Sequence, residues 1–268
     1  MKRAERVCAI TQVLTDNPNK DFSLGKFAEM FSCAKSSVSE DLGIVRTAVE
    51  ELGLGYIETT SGAKGGVRFV PYISNERART DLEALKTALE EPSRRIGDGC
   101  LYTSDLMFDP KYIQIAAAEF AKKFASIDAD FVITVETRGV GVAMLTARLL
   151  NLPLIVVGRE ARVADGSTIS INYFSGSTDR IQKMSVSKRA IKPGEKAIII
   201  DDFMRRGGSI KGIENMLSEF EASAAAIGVV ITVKEPKDKK IGNYFPIVIV
   251  DDTQEDMNIT INPEIVNM

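Results

Sequence analysis

Histidine is absent from all 268 residues of this chain. Its absence removes the commonest general base, the commonest metal ligand and every Ser-His or Cys-His nucleophile pair. Most hydrolase mechanisms are excluded with it, and neither catalytic residues nor a metal site are expected. Cysteine is scarce: Cys8, Cys33 and Cys100 are widely spaced, with no CxxC pair. They suit neither a disulfide framework nor a zinc site and are expected as ordinary reduced thiols. No apolar run approaches the ~18 residues of a membrane span. Met1-Lys2-Arg3-Ala4-Glu5-Arg6 leads into polar helical sequence without an apolar signal core, so a soluble cytoplasmic protein with no membrane partner is expected. An excess of positive charge is also missing. The net charge is −3, so any attraction to nucleic acid has to come from a local patch.

The length exceeds a usual single domain and suits a small unit followed by a medium one. Val7, Ile10 and Leu14 recur at helical spacing until Asn17-Pro18-Asn19 breaks the pattern. Leu24, Phe27, Ala28 and Met30 make a second helix, with Ser23 as N-cap and an end near Phe31-Ser32. In the third, Val38, Leu42, Val45, Val49 and Leu52 form one apolar stripe, Ser37 and Glu40 could form a capping box, and Gly53 and Gly55 end the pattern. Strands over Tyr56–Thr60 and Val67–Val70 then flank a glycine-rich turn. Three helices and a hairpin predict a winged-helix DNA-binding domain over residues 1–73. In that arrangement Lys35, Ser36, Ser37 and Ser39 face the major groove, and Lys64, Gly65, Gly66 and Arg68 belong to the wing. Nine Lys/Arg balance nine Asp/Glu in this stretch, so a unit used for protein contacts is the competing reading.

A polar junction from Ser74 to Asp81 and a leucine-bearing helix (Leu82, Leu85, Leu89) open the second unit, residues 74–268. There Phe131–Val135, Leu154–Val157, Ala197–Ile200 and Ala224–Val230 read as strands alternating with helices. The fold class is therefore α/β, with a mostly parallel sheet flanked by helices and ligands bound at strand carboxyl ends. One such end carries the strongest motif: four buried residues, then Asp201-Asp202-Phe203-Met204-Arg205-Arg206-Gly207-Gly208-Ser209. Adjacent carboxylates can hold the vicinal hydroxyls of a ribose, and the glycine pair lets backbone N–H groups close on a phosphate at a helix start. A second strand-to-helix loop, Thr137-Arg138-Gly139, offers a cation and a backbone approach. Between the two loops, Arg159 to Arg189 reads as a long mobile hairpin, either a closing lid or a plain surface element.

The acidic strand end resembles the phosphoribosyl pyrophosphate (PRPP) motif of type I phosphoribosyltransferases. With AKSSVSEDL at the start and SINYFSGSTDRIQKMS in the hairpin, the chain resembles the purine operon repressor family of Gram-positive bacteria. That resemblance implies a homodimeric repressor of purine biosynthesis and transport genes that binds double-stranded operator DNA. PRPP would relieve repression, and guanosine tetraphosphate would compete for the same pocket. It places Asp201 and Asp202 on the ribose, Met204 to Ser209 around the 5′-phosphate, Thr137 to Gly139 at the pyrophosphate, and Tyr102, Arg159 and Phe203 at or near the pocket. Arg205-Arg206 departs from the small residues that the enzymes of this fold carry. The alternative is an active purine phosphoribosyltransferase with an accessory winged helix. Against it, the stretch after Ala224–Val233 is charged and lacks an aromatic base-stacking site, with Tyr244 and Phe245 expected in core or surface roles.

Overall fold

The computed structural model describes residues 1–60, 66–96, 100–160, 166–175, 180–252 and 257–266. At the N-terminus α1 (Arg3–Asp16), α2 (Leu24–Phe31) and α3 (Lys35–Glu51) precede an antiparallel hairpin of β1 (Gly55–Thr59) and β2 (Val67–Pro71). Their apolar stripes close one core around Ile10, Leu14, Phe27, Val38, Val45 and Val67. Ser23 caps α2 by accepting from the Lys26 N–H. The expected Ser37–Glu40 box does not start α3: the helix begins three residues earlier, at Lys35, with Ala34 rather than Ser37 as its N-cap. Glu40 turns instead toward Arg3, at 3.6 Å.

Leu82, Leu85 and Leu89 of α4 (Asn75–Glu90) pack into the core of the larger unit. A short ladder of β3 (Arg95–Ile96) and β4 (Cys100–Leu101), then α5 (Ser104–Phe108) and α6 (Pro110–Phe124), lead into a six-stranded sheet. Its strands are β5 (Phe131–Val135), β6 (Leu154–Val157), β9 (Lys196–Met204), β10 (Ser223–Val233), β11 (Phe245–Asp251) and β12 (Asn258–Ile261). Their order is β12-β11-β10-β9-β5-β6, parallel except for β12. α7 (Gly139–Leu150) follows β5 and α8 (Gly208–Glu219) follows β9. Apolar clusters cover both faces of the sheet, which is why its central strands read as unbroken apolar runs. Phe245 packs edge-on against Phe120 and Phe124, so its role is core.

The hairpin expected between the two loops is present as β7 (Thr168–Ser175) and β8 (Arg180–Ser187). Tyr173 and Met184 are buried against α8, Val186 is buried in the same core, and a Cβ at Gly212 would lie 2.7 Å from Met184 Cε.

Candidate functional site

β9 ends with both acids inside the protein, Asp201 9% and Asp202 8% exposed. The Asp202 N–H donates to Asp201 Oδ1 at 2.9 Å, and Arg138 Nε lies 3.1 Å from Asp202 Oδ2. Burial, and then the neighbouring Asp202 charge, hold the Asp201 carboxyl well above the usual carboxylate range. Burial also raises Asp202, against the pull of Arg138. The chain then turns through Gly207, whose φ of 77° is left-handed, into the N-terminus of α8. A Cβ there would also sit 3.2 Å from Ile241 Cγ1, so the turn requires glycine twice over. Across the cavity the Glu136–Thr137 peptide is cis and Gly139 opens α7. A Cβ at Gly139 would lie 2.7 Å from Thr134 Oγ1 and 3.5 Å from the Asp202 nitrogen. Two helix N-termini thus bound one cavity of about 270 Å³.

Thr137, Arg138, Arg159 and every residue from Asp201 to Ser209 line that cavity. Gly139 stands directly behind it, under the loop. Tyr102 does not join them. It is 46% exposed just after β4, with its N–H on the Arg94 carbonyl, and is not part of the lining. Sequence reasoning missed Glu136, Tyr173 and Gln182. Glu136 Oε2 accepts the Arg159 N–H at 3.4 Å, and the Tyr173 hydroxyl donates to Gln182 Oε1 at 2.7 Å. The alternation of β7 offered a signal for Tyr173, but its partner across the ladder follows only from the register, which pairs Tyr173 with Gln182. Four arginines and three carboxylates line the cavity. It is therefore suited to an anion with a diol at its centre. Arg205 is also held by Asp252, at 3.0 Å. Among the described residues no group of three or more His, Cys, Asp or Glu gathers to hold a metal.

The second surface is α3. Lys35, Ser36 and Ser39 are exposed and Ser37 is half-buried. Asp41, fully buried, is neutralised by Arg6 at 2.6 Å and Arg3 at 3.3 Å. Glu40 and Asp41, the two acids near the start of this helix, are therefore paired from α1. Gly66 exchanges hydrogen bonds with Thr60 to close the wing. Arg68 is tied to Glu58 at 2.6 Å, which reduces its availability to a phosphate. Lys64 and Gly65 lie outside the described residues. Arg46 was missed: it is exposed on α3, in helical step with Ser39 and Gly43, and donates to Thr59 Oγ1 at 2.9 Å.

Residues 2–71 match the family described as bacterial purine repressor, N-terminal, and residues 108–263 the phosphoribosyl transferase domain. The chain is 40% identical to a probable purine biosynthesis transcriptional regulator of Streptococcus pneumoniae, covering 91% of this chain and 89% of that one. It is 37% identical to the purine biosynthesis transcriptional repressor of Bacillus subtilis, over 92% of this chain and 87% of that one. It is 34% identical to the purine biosynthesis transcriptional activator of Lactococcus lactis, over 94% and 93%. The sheet unit is similar in fold to an adenine phosphoribosyltransferase of Thermoanaerobacter pseudethanolicus, with a TM-score of 0.53 and 19% identity, covering 62% of this chain and 96% of that one.

Proposed function

The chain belongs to the family of bacterial purine repressors, and from that membership and the geometry of its cavity we propose that it represses purine genes by binding operator DNA and releases it on binding PRPP. It is a transcription regulator, not a transferase. The observation that supports the effector is the cavity itself: two adjacent buried acids stand between two strand-to-helix turns that each end in a helix N-terminus. PRPP has the matching order of groups, with a phosphate, a ribose diol and a pyrophosphate. The Gly207–Ser209 turn takes the 5′-phosphate, Asp201 and Asp202 the diol, and Thr137–Gly139 the pyrophosphate. Arg138 now rests on Asp202, so a diol arriving there frees its guanidinium for the pyrophosphate. Guanosine tetraphosphate places pyrophosphate groups on a ribose and meets the same cations as a competing ligand.

In this reading the protein acts in the cytoplasm as a homodimer whose two α3 helices read successive half-sites. Coupling runs along α7. Its N-terminus is the pyrophosphate turn, and about 15 Å away, at 1.5 Å per residue, the Leu149 carbonyl accepts the Asn19 side-chain N–H at 2.7 Å. Asn19 in turn donates its backbone N–H to Phe69 of β2 at 2.8 Å. A shift of the turn is thereby passed to the wing.

The test is an electrophoretic mobility shift on a purine promoter fragment at stated salt. Wild type should bind and PRPP should reverse the shift, whereas Asp202→Ala should bind DNA and ignore PRPP. A wild-type shift that PRPP leaves intact would refute release by PRPP and favour the activator mode named for the Lactococcus relative.

A further inference from the structure

The charged stretch Lys234–Lys240, notable in sequence only for lacking a base-stacking site, lies behind the phosphate turn. Three consecutive carbonyls of that turn are tied back from β10 and this stretch. Met204 O accepts from Thr232 Oγ1 at 3.4 Å, and Arg205 O accepts from Lys239 Nζ at 2.6 Å. Arg206 O accepts from the Lys240 N–H at 2.9 Å. Lys239 also donates to the Val233 carbonyl at 2.6 Å, so one ammonium clamps the turn to the end of β10. It is half-buried, and burial lowers its pKa.

A trans peptide is planar, with its C=O and the following N–H pointing in opposite directions. Tying the carbonyls of Arg205 and Arg206 backward therefore turns the N–H groups of Arg206 and Gly207 forward. Both residues line the cavity. A charge-assisted bond is stronger than a neutral one, which makes the Lys239 clamp the firmest of the three ties.

We infer that Lys239 is a positioning residue for the 5′-phosphate: it never touches the ligand but holds the phosphate turn with its amides aimed into the cavity. This rests on the assignment of the turn to the 5′-phosphate. It implies that one half of the site depends on Lys239 and the pyrophosphate half, built on β5 and α7, does not.

The experiment is calorimetric titration of wild type, Lys239→Met and Lys237→Met with PRPP, ribose 5-phosphate and pyrophosphate separately. Lys237 is exposed in the same stretch and controls for lost charge. Lys239→Met should bind ribose 5-phosphate about tenfold more weakly, as the loss of a charged hydrogen bond implies, and pyrophosphate as wild type does. Lys237→Met should match wild type on all three. Unchanged ribose 5-phosphate affinity in Lys239→Met would overturn the inference. So would an equal loss for both ligands, or the same loss in Lys237→Met. If wild type itself binds neither PRPP nor ribose 5-phosphate, it is the assignment of the cavity that fails. Should Lys239→Met lose its melting transition, Lys239→Gln, whose shorter side chain lacks the charged donor, is titrated with the same criteria.

Discussion

At the scale of single residues, the two acids show how a binding site works against stability. An acid whose pKa is higher folded than unfolded holds its proton more tightly in the folded state. The folded form therefore gains relative stability as pH falls through that raised value and is penalised above it. Asp201 and Asp202 are both raised by burial, so they cost stability at neutral pH. Asp201→Asn removes a buried charge beside another and should raise the melting temperature by a few degrees, about 1 kcal/mol, while abolishing the PRPP response. A lowered melting temperature would show that the pair stabilises the free protein. Asp201, Asp202 and Gly207 were legible because four apolar residues followed by two acids and two glycines leave few alternatives. Gln182 was not, since nothing beside it in sequence distinguishes it from a surface residue, and Glu136, though next to the Thr137–Gly139 loop, carries no motif of its own.

At the scale of elements, the proposed reading role of α3 rests on its buried stripe, on Glu40 and Asp41 being answered by Arg3 and Arg6, and on an outer face that keeps Lys35, Ser36, Ser39 and Arg46. Replacing Lys35 or Arg46 with Ala should weaken operator binding and lower the slope of log affinity against log salt by about one for each phosphate that the side chain had neutralised. An unchanged slope for either variant would remove that residue from the DNA surface. The hairpin behaves differently from its composition. Its hydroxyl-rich sequence reads as mobile, yet Tyr173 and Met184 dock on the bare backbone of Gly212. The small residue that receives them lies 28 positions beyond Met184, out of reach of a local reading.

For the molecule as a whole, the proposed function asks how a ligand at the carboxyl ends of β5 and β9 would act on a helix in another unit. The units meet around a cleft of about 420 Å³, bordered by Thr15, Leu54, Tyr72, Arg77, Gln114 and Leu149. The side-chain bond from Asn19 to Leu149 crosses the junction, beside an exposed Arg148–Asp16 pair at 4.0 Å that contributes little. Asn19 has a left-handed φ of 57°, so glycine is the substitution that removes the bond without straining the backbone. Asn19→Gly should bind operator and PRPP separately as wild type does, while the factor by which each weakens the other falls about threefold to tenfold. An undiminished factor, from DNA titrations at several PRPP concentrations, would take α7 out of the coupling.

The sequence alone was enough for a winged helix, a parallel α/β sheet and the acidic ribose motif. Apolar periodicity, buried runs and glycine spacing are local, and each is repeated within one or two elements. Only the tertiary structure decided which residues complete the cavity. The side of it formed by Tyr173 and Gln182 comes from a distant hairpin, and Tyr102, named by resemblance, stands outside. The clamp from Lys239 to Arg205 spans 34 positions. Its partner is a backbone carbonyl, and every residue offers one of those, so no residue type could have announced it.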